Sequence, residues 1–238
     1  MSLCKSGFPL GKPLLVMYLI LFTLIMLPVS RSVDSTIYNL LNETGTILIR
    51  TTVPPSEPLP PEVRDEFTAV MAFYAGMTRA MTFTPNPETG KPFSLFNYHA
   101  IERIVDNSGR FSKVSTDTLH FHTWATAEAF GRKLYHRLFG VKFGSRETRT
   151  ISAVLETMGS EAIRMLEADN TQEYKAGHIT FILEYLAGIP SITAKAIYID
   201  CNSHRKGLKR APWRHHRFSF FHRTSWTIQV ENFLYLPN

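Results

Sequence analysis

Apolar positions along this chain recur with two periods, and the alternation between them predicts the element order. Residues 46–53 (TILIRTTV) are rich in β-branched side chains and closed by prolines, which predicts a first strand. The next eight residues, PPSEPLPP, form a stiff extended linker that cannot join a central ladder. Beyond it Val63, Phe67, Val70, Met71, Tyr74, Met77 and Met81 recur at helical spacing and predict a helix over 62–81. Proline suits its first turn, and Glu62, Asp65 and Glu66 suit the positive end of the helix dipole.

Residues 85–90 (PNPETG) have turn chemistry. Residues 94–105 predict a short helix with Leu95, Tyr98, Ile101 and Ile104 inward, broken by Asp106-Asn107-Ser108-Gly109. Residues 119–124 alternate as a strand. Thr126 is placed to cap a helix carrying Phe130, Leu134 and Leu138 that stops at Gly140. Ser145 opens another, with Ile151, Val154, Leu155, Met158, Ala162 and Leu166 on one face. Residues 172–186 fit either period, whereas 191–200 and 226–230 alternate as strands. No internal repeat is present. The pattern predicts a single α+β domain, with helices in the middle of the chain and strands near both ends.

The first residues follow neither period. Residues 1–12 carry Lys5 and Lys12 and no acid; residues 14–27 (LLVMYLILFTLIML) carry no charge; Pro28 and Val29-Ser30-Arg31-Ser32 follow. A basic end, an apolar run and a small-residue exit form a signal-peptidase substrate, with Ser30 and Ser32 at the small positions and Val33 starting the mature chain. Spanning a bilayer takes roughly 20 apolar residues, so the alternative is a short signal anchor with snorkelling flanks. The chain therefore divides into residues 1–32 as signal peptide or anchor, 33–61 as N-terminal strand and Pro-rich linker, and 62–238 as the globular domain. The expected address is outside the cell or the secretory lumen, with a signal-anchored membrane protein as the alternative. Asn42-Glu43-Thr44 is the only glycosylation sequon and agrees with that address.

Without residues 1–32, 206 of the 238 residues remain, enough for one domain with a real core. Cys4 lies in the leader, so Cys201 stands alone, and hydrophobic packing rather than a disulfide framework must hold the fold. Burial on an apolar strand or an intermolecular bridge accounts for such a thiol. Basic neighbours also allow Cys201 as a nucleophile, but no known Cys–His spacing accompanies it.

The net charge of +6 is local. Residues 32–202 hold 16 Lys and Arg against 19 Asp and Glu, whereas residues 203–223 (SHRKGLKRAPWRHHRFSFFHR) hold seven cations and no acid. Four histidines, Trp213, Phe218, Phe220 and Phe221 are interleaved with them. Such a segment draws polyanions by charge and counterion release, while flat rings add stacking or sit at a membrane interface. In the secretory pathway the matching partners are sulfated glycans, anionic lipid headgroups or released RNA. Arg205, Lys206, Lys209, Arg210, Arg214 and Arg217 supply the charge and Trp213 the anchor. The bland alternative is a solvated basic loop with aromatics that pack inward.

Other chemistry is sparse. His120-x-His122 on a strand points two imidazoles to one face, which is half of a zinc site, and the sequence brings no third ligand from His99, His136 or His178. His215 and His216 face opposite ways if extended. HExxH, GxSxG, a Gly-rich phosphate loop and paired cysteines are all absent, so neither metal nor cofactor is expected. Glu161 and Arg164 share a helix face. The stretch Met158-Gly159-Ser160-Glu161-Ala162-Ile163-Arg164 resembles the active-site helix of the ribosome-inactivating RNA N-glycosidases. That resemblance implies that Glu161 and Arg164 act around a departing adenine and that Tyr74 stacks on the base. A second tyrosine around 110–120 and a tryptophan near 193, both part of that pattern, are missing. Without the resemblance, the pair is an ordinary ion pair on a solvated face. The leading expectation is a secreted or lumenal glycoprotein that binds a polyanion or membrane surface. The alternatives are a secreted enzyme acting on RNA or glycosidic bonds, and an anchored protein that docks a partner protein through the Met-rich face of helix 62–81.

Overall fold

The strand-forming runs join in one sheet, and the helical stripes cover both of its faces. The computed structural model describes residues 36–85, 90–122, 127–167, 175–200 and 225–237. The expected leader, the Thr126 cap, Cys201 and the basic segment 203–223 lie outside them. In chain order the elements are β1 (Tyr38–Leu41), β2 (Ile47–Thr51), α1 (Pro61–Phe83), α2 (Tyr98–Asn107), β3 (Phe111–His122), α3 (Ala127–Phe139), α4 (Ser145–Glu167), β4 (Lys175–Leu186), β5 (Ile189–Asp200) and β6 (Ser225–Tyr235). This is the α+β single domain that the periodicities predict, and Thr36–Asn238 form one compact unit. The sheet order is β1-β2-β4-β5-β6-β3; β2 and β4 run parallel, and every other neighbouring pair is antiparallel.

Side-chain alternation divides the core in two. From β4, Ile179, Phe181 and Leu183 meet Val63, Phe67 and Val70 of α1 and Ile101 of α2. Ala176 and Ile182 turn the other way, toward Leu134 of α3 and Ile151, Leu155 and Met158 of α4. A strand buried on both faces reads as a continuous apolar run, which is why residues 172–186 fit either period.

β3 changes faces along its length. Phe111 belongs to the α1/α2 core and Leu119 to the α3/α4 core, although both numbers are odd. A register shift between Lys113 and Ser115 inserts Val114 as an unpaired residue, 67% exposed, and reverses the parity. The helix expected from Ser94 begins at Tyr98 instead. Asn97 is its N-cap, accepting from the Ala100 N–H at 3.1 Å.

α2 lies directly on the sheet because of Gly177. A Cβ there would stand 2.5 Å from the Ile197 carbonyl oxygen, 2.6 Å from Tyr198 Cβ and 3.0 Å from Tyr98 Cβ. Without it, the Tyr98 and Tyr198 rings stack at 4.5 Å. The Tyr98 hydroxyl donates to the buried carboxylate of Glu231, to which Lys113 Nζ is ion-paired at 3.0 Å. Burial, then this bond, pushes the Tyr98 hydroxyl pKa far up. Burial alone would raise the Glu102 carboxyl, but the Lys113 hydrogen bond and the Lys175 charge outweigh it and hold that pKa below its ordinary value. Replacing Gly177 with Ala forces β4, β5 and α2 apart. We expect a stability loss of about 3 kcal/mol or failure to fold, read by urea unfolding, and a wild-type midpoint would refute this account.

Candidate functional site

The concave feature that stands out arises where strand pairing stops. β2 begins at Ile47, opposite Phe181, but β4 reaches back to Lys175. Along that edge the Phe181 N–H donates to Thr46 O at 2.7 Å and the Gly177 N–H to Phe96 O at 2.9 Å. Alternation places the main-chain groups of Ile179 on the same edge, between these two bonds, where no strand pairs with them. Over this gap lies a cleft of about 240 Å³. Tyr74, Met77 and Thr78 of α1 line it, as do Val154 and Thr157 of α4, which packs on the opposite face. The chain at Phe96 and the β1–β2 turn close its two ends.

Two polar side chains in its wall are unusual. Thr78 Oγ1 is sealed from solvent and has no hydrogen-bond partner. His178 is buried, with its ring stacked on Phe96 at 5.7 Å and its Nε2 3.0 Å from Gly45 O. The carbonyl can only accept, so Nε2 carries the proton. Burial pushes this imidazole down to about 4, against the weaker opposing effect of the Gly45 bond. The unfolded chain therefore takes up a proton near pH 6.5 that the folded chain refuses, and stability falls as pH drops from about 6.5 toward 4. Between pH 7 and pH 5 the wild type should lose about 2 kcal/mol more than His178→Gln in urea unfolding, and equal losses would contradict the buried neutral ring.

The β1–β2 turn is held by the sequon itself. Asn42 Oδ1 accepts from the N–H groups of Thr46 and Ile47 at 2.9 and 3.0 Å. Its Nδ2 donates to the hydroxyls of Thr44 and Thr46 at 2.9 and 3.0 Å. Gly45, at φ +71°, supplies the left-handed step that lets its carbonyl reach His178 and Thr180. A glycan on Nδ2 would take one of the two hydrogens that now reach Thr44 and Thr46. Asn42→Ala should cost about 2 kcal/mol even in protein made without glycosylation, and an unchanged unfolding midpoint would show the turn to be independent of it.

The residues expected to act together are only partly brought together. Tyr74 is half-buried at the cleft, whereas Glu161 and Arg164 do not line it. Glu161 is buried on α4, and both its oxygens are occupied by Arg164, from Nε at 3.0 Å and Nη2 at 2.6 Å. That hydrogen bond holds the Arg164 guanidinium above its ordinary pKa while its side chain stays 63% exposed. The Met face of α1 turns inward at Met77 and Met81, and Met71 is exposed. His120 is exposed, with Nδ1 3.3 Å from the Thr227 hydroxyl. Among the described residues no three His, Cys, Asp or Glu side chains cluster as metal ligands. Arg205, Lys206, Lys209, Arg210, Trp213, Arg214 and Arg217 lie outside the described residues.

Sequence reading missed Thr78, Phe96 and His178 as site residues. Thr78 carries one faint signal, being four residues from Tyr74 and beside the buried Met77 on a helix flank. On the other face, near the last turn of α3, Asp117, Arg137, Lys195 and Asn232 line a polar hollow of about 320 Å³. Burial lowers the Lys195 pKa, against the opposing charges of Asp117 and Glu184.

The fold and cleft define a one-domain α+β protein built on a mixed six-stranded sheet. The chain belongs to the family of zygote formation protein zyg1, which it matches over residues 24–235. The zygote formation protein zyg1 of Dictyostelium mucoroides is 25% identical over 165 residues, covering 69% of this chain and 57% of that protein. The chain thus spans little more than half the length of that relative. Among solved structures, the activated Cyt2Ba monomer of Bacillus thuringiensis subsp. israelensis is 8% identical, covers 81% of this chain and 98% of its own, and has a TM-score of 0.26. The Evf virulence factor is 7% identical, covers 74% of this chain and 67% of its own, and has a TM-score of 0.32. At these scores neither likeness carries an argument about fold or function.

Proposed function

We propose that this chain is a secreted or secretory-pathway glycoprotein that binds a polyanion or an anionic membrane surface through residues 203–223. The observation that carries this is charge segregation: seven cations and no acid in that segment, beside an acidic excess over residues 32–202. The segment falls within the connection between β5 and β6, which are neighbouring antiparallel strands of one sheet. A connection borne on a rigid sheet is a common place for binding residues. Arg205, Lys206, Lys209, Arg210, Arg214 and Arg217 meet the anion and Trp213 adds a ring contact. The leader pattern and the sequon at Asn42 support the address. Among the described residues no helix is long and apolar enough to cross a membrane. The enzyme reading through Glu161, Arg164 and Tyr74 gains no observation in its favour, since the carboxylate is occupied by the arginine and Tyr74 stands at the cleft.

Lys209→Glu with Arg210→Glu should reduce the salt needed to elute the protein from heparin and release it from anionic liposomes. The slope of log affinity against log salt should fall by about 2. Unchanged retention on both supports would sink the proposal.

A further inference from the structure

We infer that the cleft beside the open edge of β4 is a binding site for a small, uncharged, largely apolar molecule carrying one hydrogen-bonding oxygen. This goes beyond the polyanion reading and uses none of its residues. Three features of the cleft specify the class.

Its wall is mostly apolar, with Met77, Met81, Leu95, Phe96, Ile101 and Val154 as its main surfaces. Its ionisable groups offer a charged ligand no counterpart. His178 is neutral near pH 7 and its proton is engaged by Gly45. Glu43, at the rim, is exposed and ion-paired with Arg146 at 3.2 Å. A charge brought into such a wall is left unpaired and desolvated, which excludes ionic ligands. Tyr74 and five threonines also line the cleft, and the Thr44, Thr46 and Thr157 hydroxyls are already engaged with Asn42, with each other and with the Ala153 carbonyl. The Thr78 hydroxyl has no partner, and the main-chain groups of Ile179 lie on an edge that no strand pairs. A helical threonine has two accessible χ1 rotamers, so this hydroxyl can turn to meet a ligand oxygen.

Size sets the last limit. A cavity of about 150 Å³ lined by apolar side chains takes benzene. The cleft, at about 240 Å³, admits one such ring with a short chain. Ligand sites of this kind hold an apolar body and orient it by a few polar groups, which here are Thr78 and the Ile179 edge. An ordinary interior packing defect would have neither an open mouth nor an unpaired sheet edge. The mouth is bordered on α4 by Ala153, an exposed residue whose side chain can be enlarged without entering the core.

The test titrates the full chain with two probes of matched shape, butylbenzene and 4-phenylbutan-2-one, followed by ligand-observed NMR. Both should bind saturably, the ketone about tenfold more tightly, as one hydrogen bond allows. Ala153→Trp should abolish both by filling the mouth. Thr78→Val should keep butylbenzene binding and erase the preference for the ketone; should that variant misfold, Thr78→Ala takes its place. Circular dichroism confirms folding in each case. No saturable binding by folded wild type, equal affinity for the two probes, binding that survives Ala153→Trp, or a ketone preference that survives removal of the hydroxyl would each overturn the inference.

Discussion

The α1/α2 side of this domain depends on one missing atom, the Cβ that Gly177 lacks. At that point β5 approaches through the Ile197 carbonyl and Tyr198, and α2 approaches through Tyr98, all within 3.0 Å of where the atom would be. Only this clearance lets Tyr98 stack on Tyr198 and extend its hydroxyl to Glu231. The same residue binds the Phe96 carbonyl through its N–H, so the end of the cleft is placed by the contact that seats the helix. A packing constraint and a candidate site therefore share one position in β4.

Glu231 shows how the outer strand is held. A carboxylate 3% exposed is costly to desolvate, and it persists because Tyr98 and Lys113 both meet it. Lys113 also pairs with Glu102 at 3.1 Å, and Lys175 reaches that carboxylate from 3.5 Å. The resulting chain of contacts ties α2 to β3, β6 and β4. β3 needs this, because residues 112–118 are exposed and bring little apolar burial of their own. Its bulge at Val114 lets one strand serve both cores while also marring a flat edge that would otherwise invite pairing with another chain.

Elements with one buried face were legible in the sequence. The stripe over 62–81 became α1 at Pro61–Phe83, and Ser145 does open α4. β1 was missed because four residues with a single buried one, Leu41, show no alternation. The first half of β3 was missed because its polar residues face water on an outer strand and its bulge breaks the period. The cleft was not legible, since it exists where β2 fails to follow β4, a mismatch between segments more than 120 residues apart. Nor does local sequence show that Thr78 lacks a partner. Asn42 carries a recognised acceptor pattern, yet the four hydrogen bonds of its side chain within the β1–β2 turn appear only once Thr46 and Ile47 are placed.

The join between β5 and β6 has an evolutionary consequence. Tyr198 and Gln229 pair directly across the two strands, so both ends of the intervening stretch are anchored whatever it contains. Closure entropy rises only with the logarithm of length, and doubling such a connection costs about 0.6 kcal/mol. Insertions, deletions and changes of composition there cost folding little, whereas any side chain at Gly177 would meet the Ile197 carbonyl, Tyr198 and Tyr98. Changes of length should therefore be tolerated most readily between Asp200 and Ser225, on a scaffold that they leave intact.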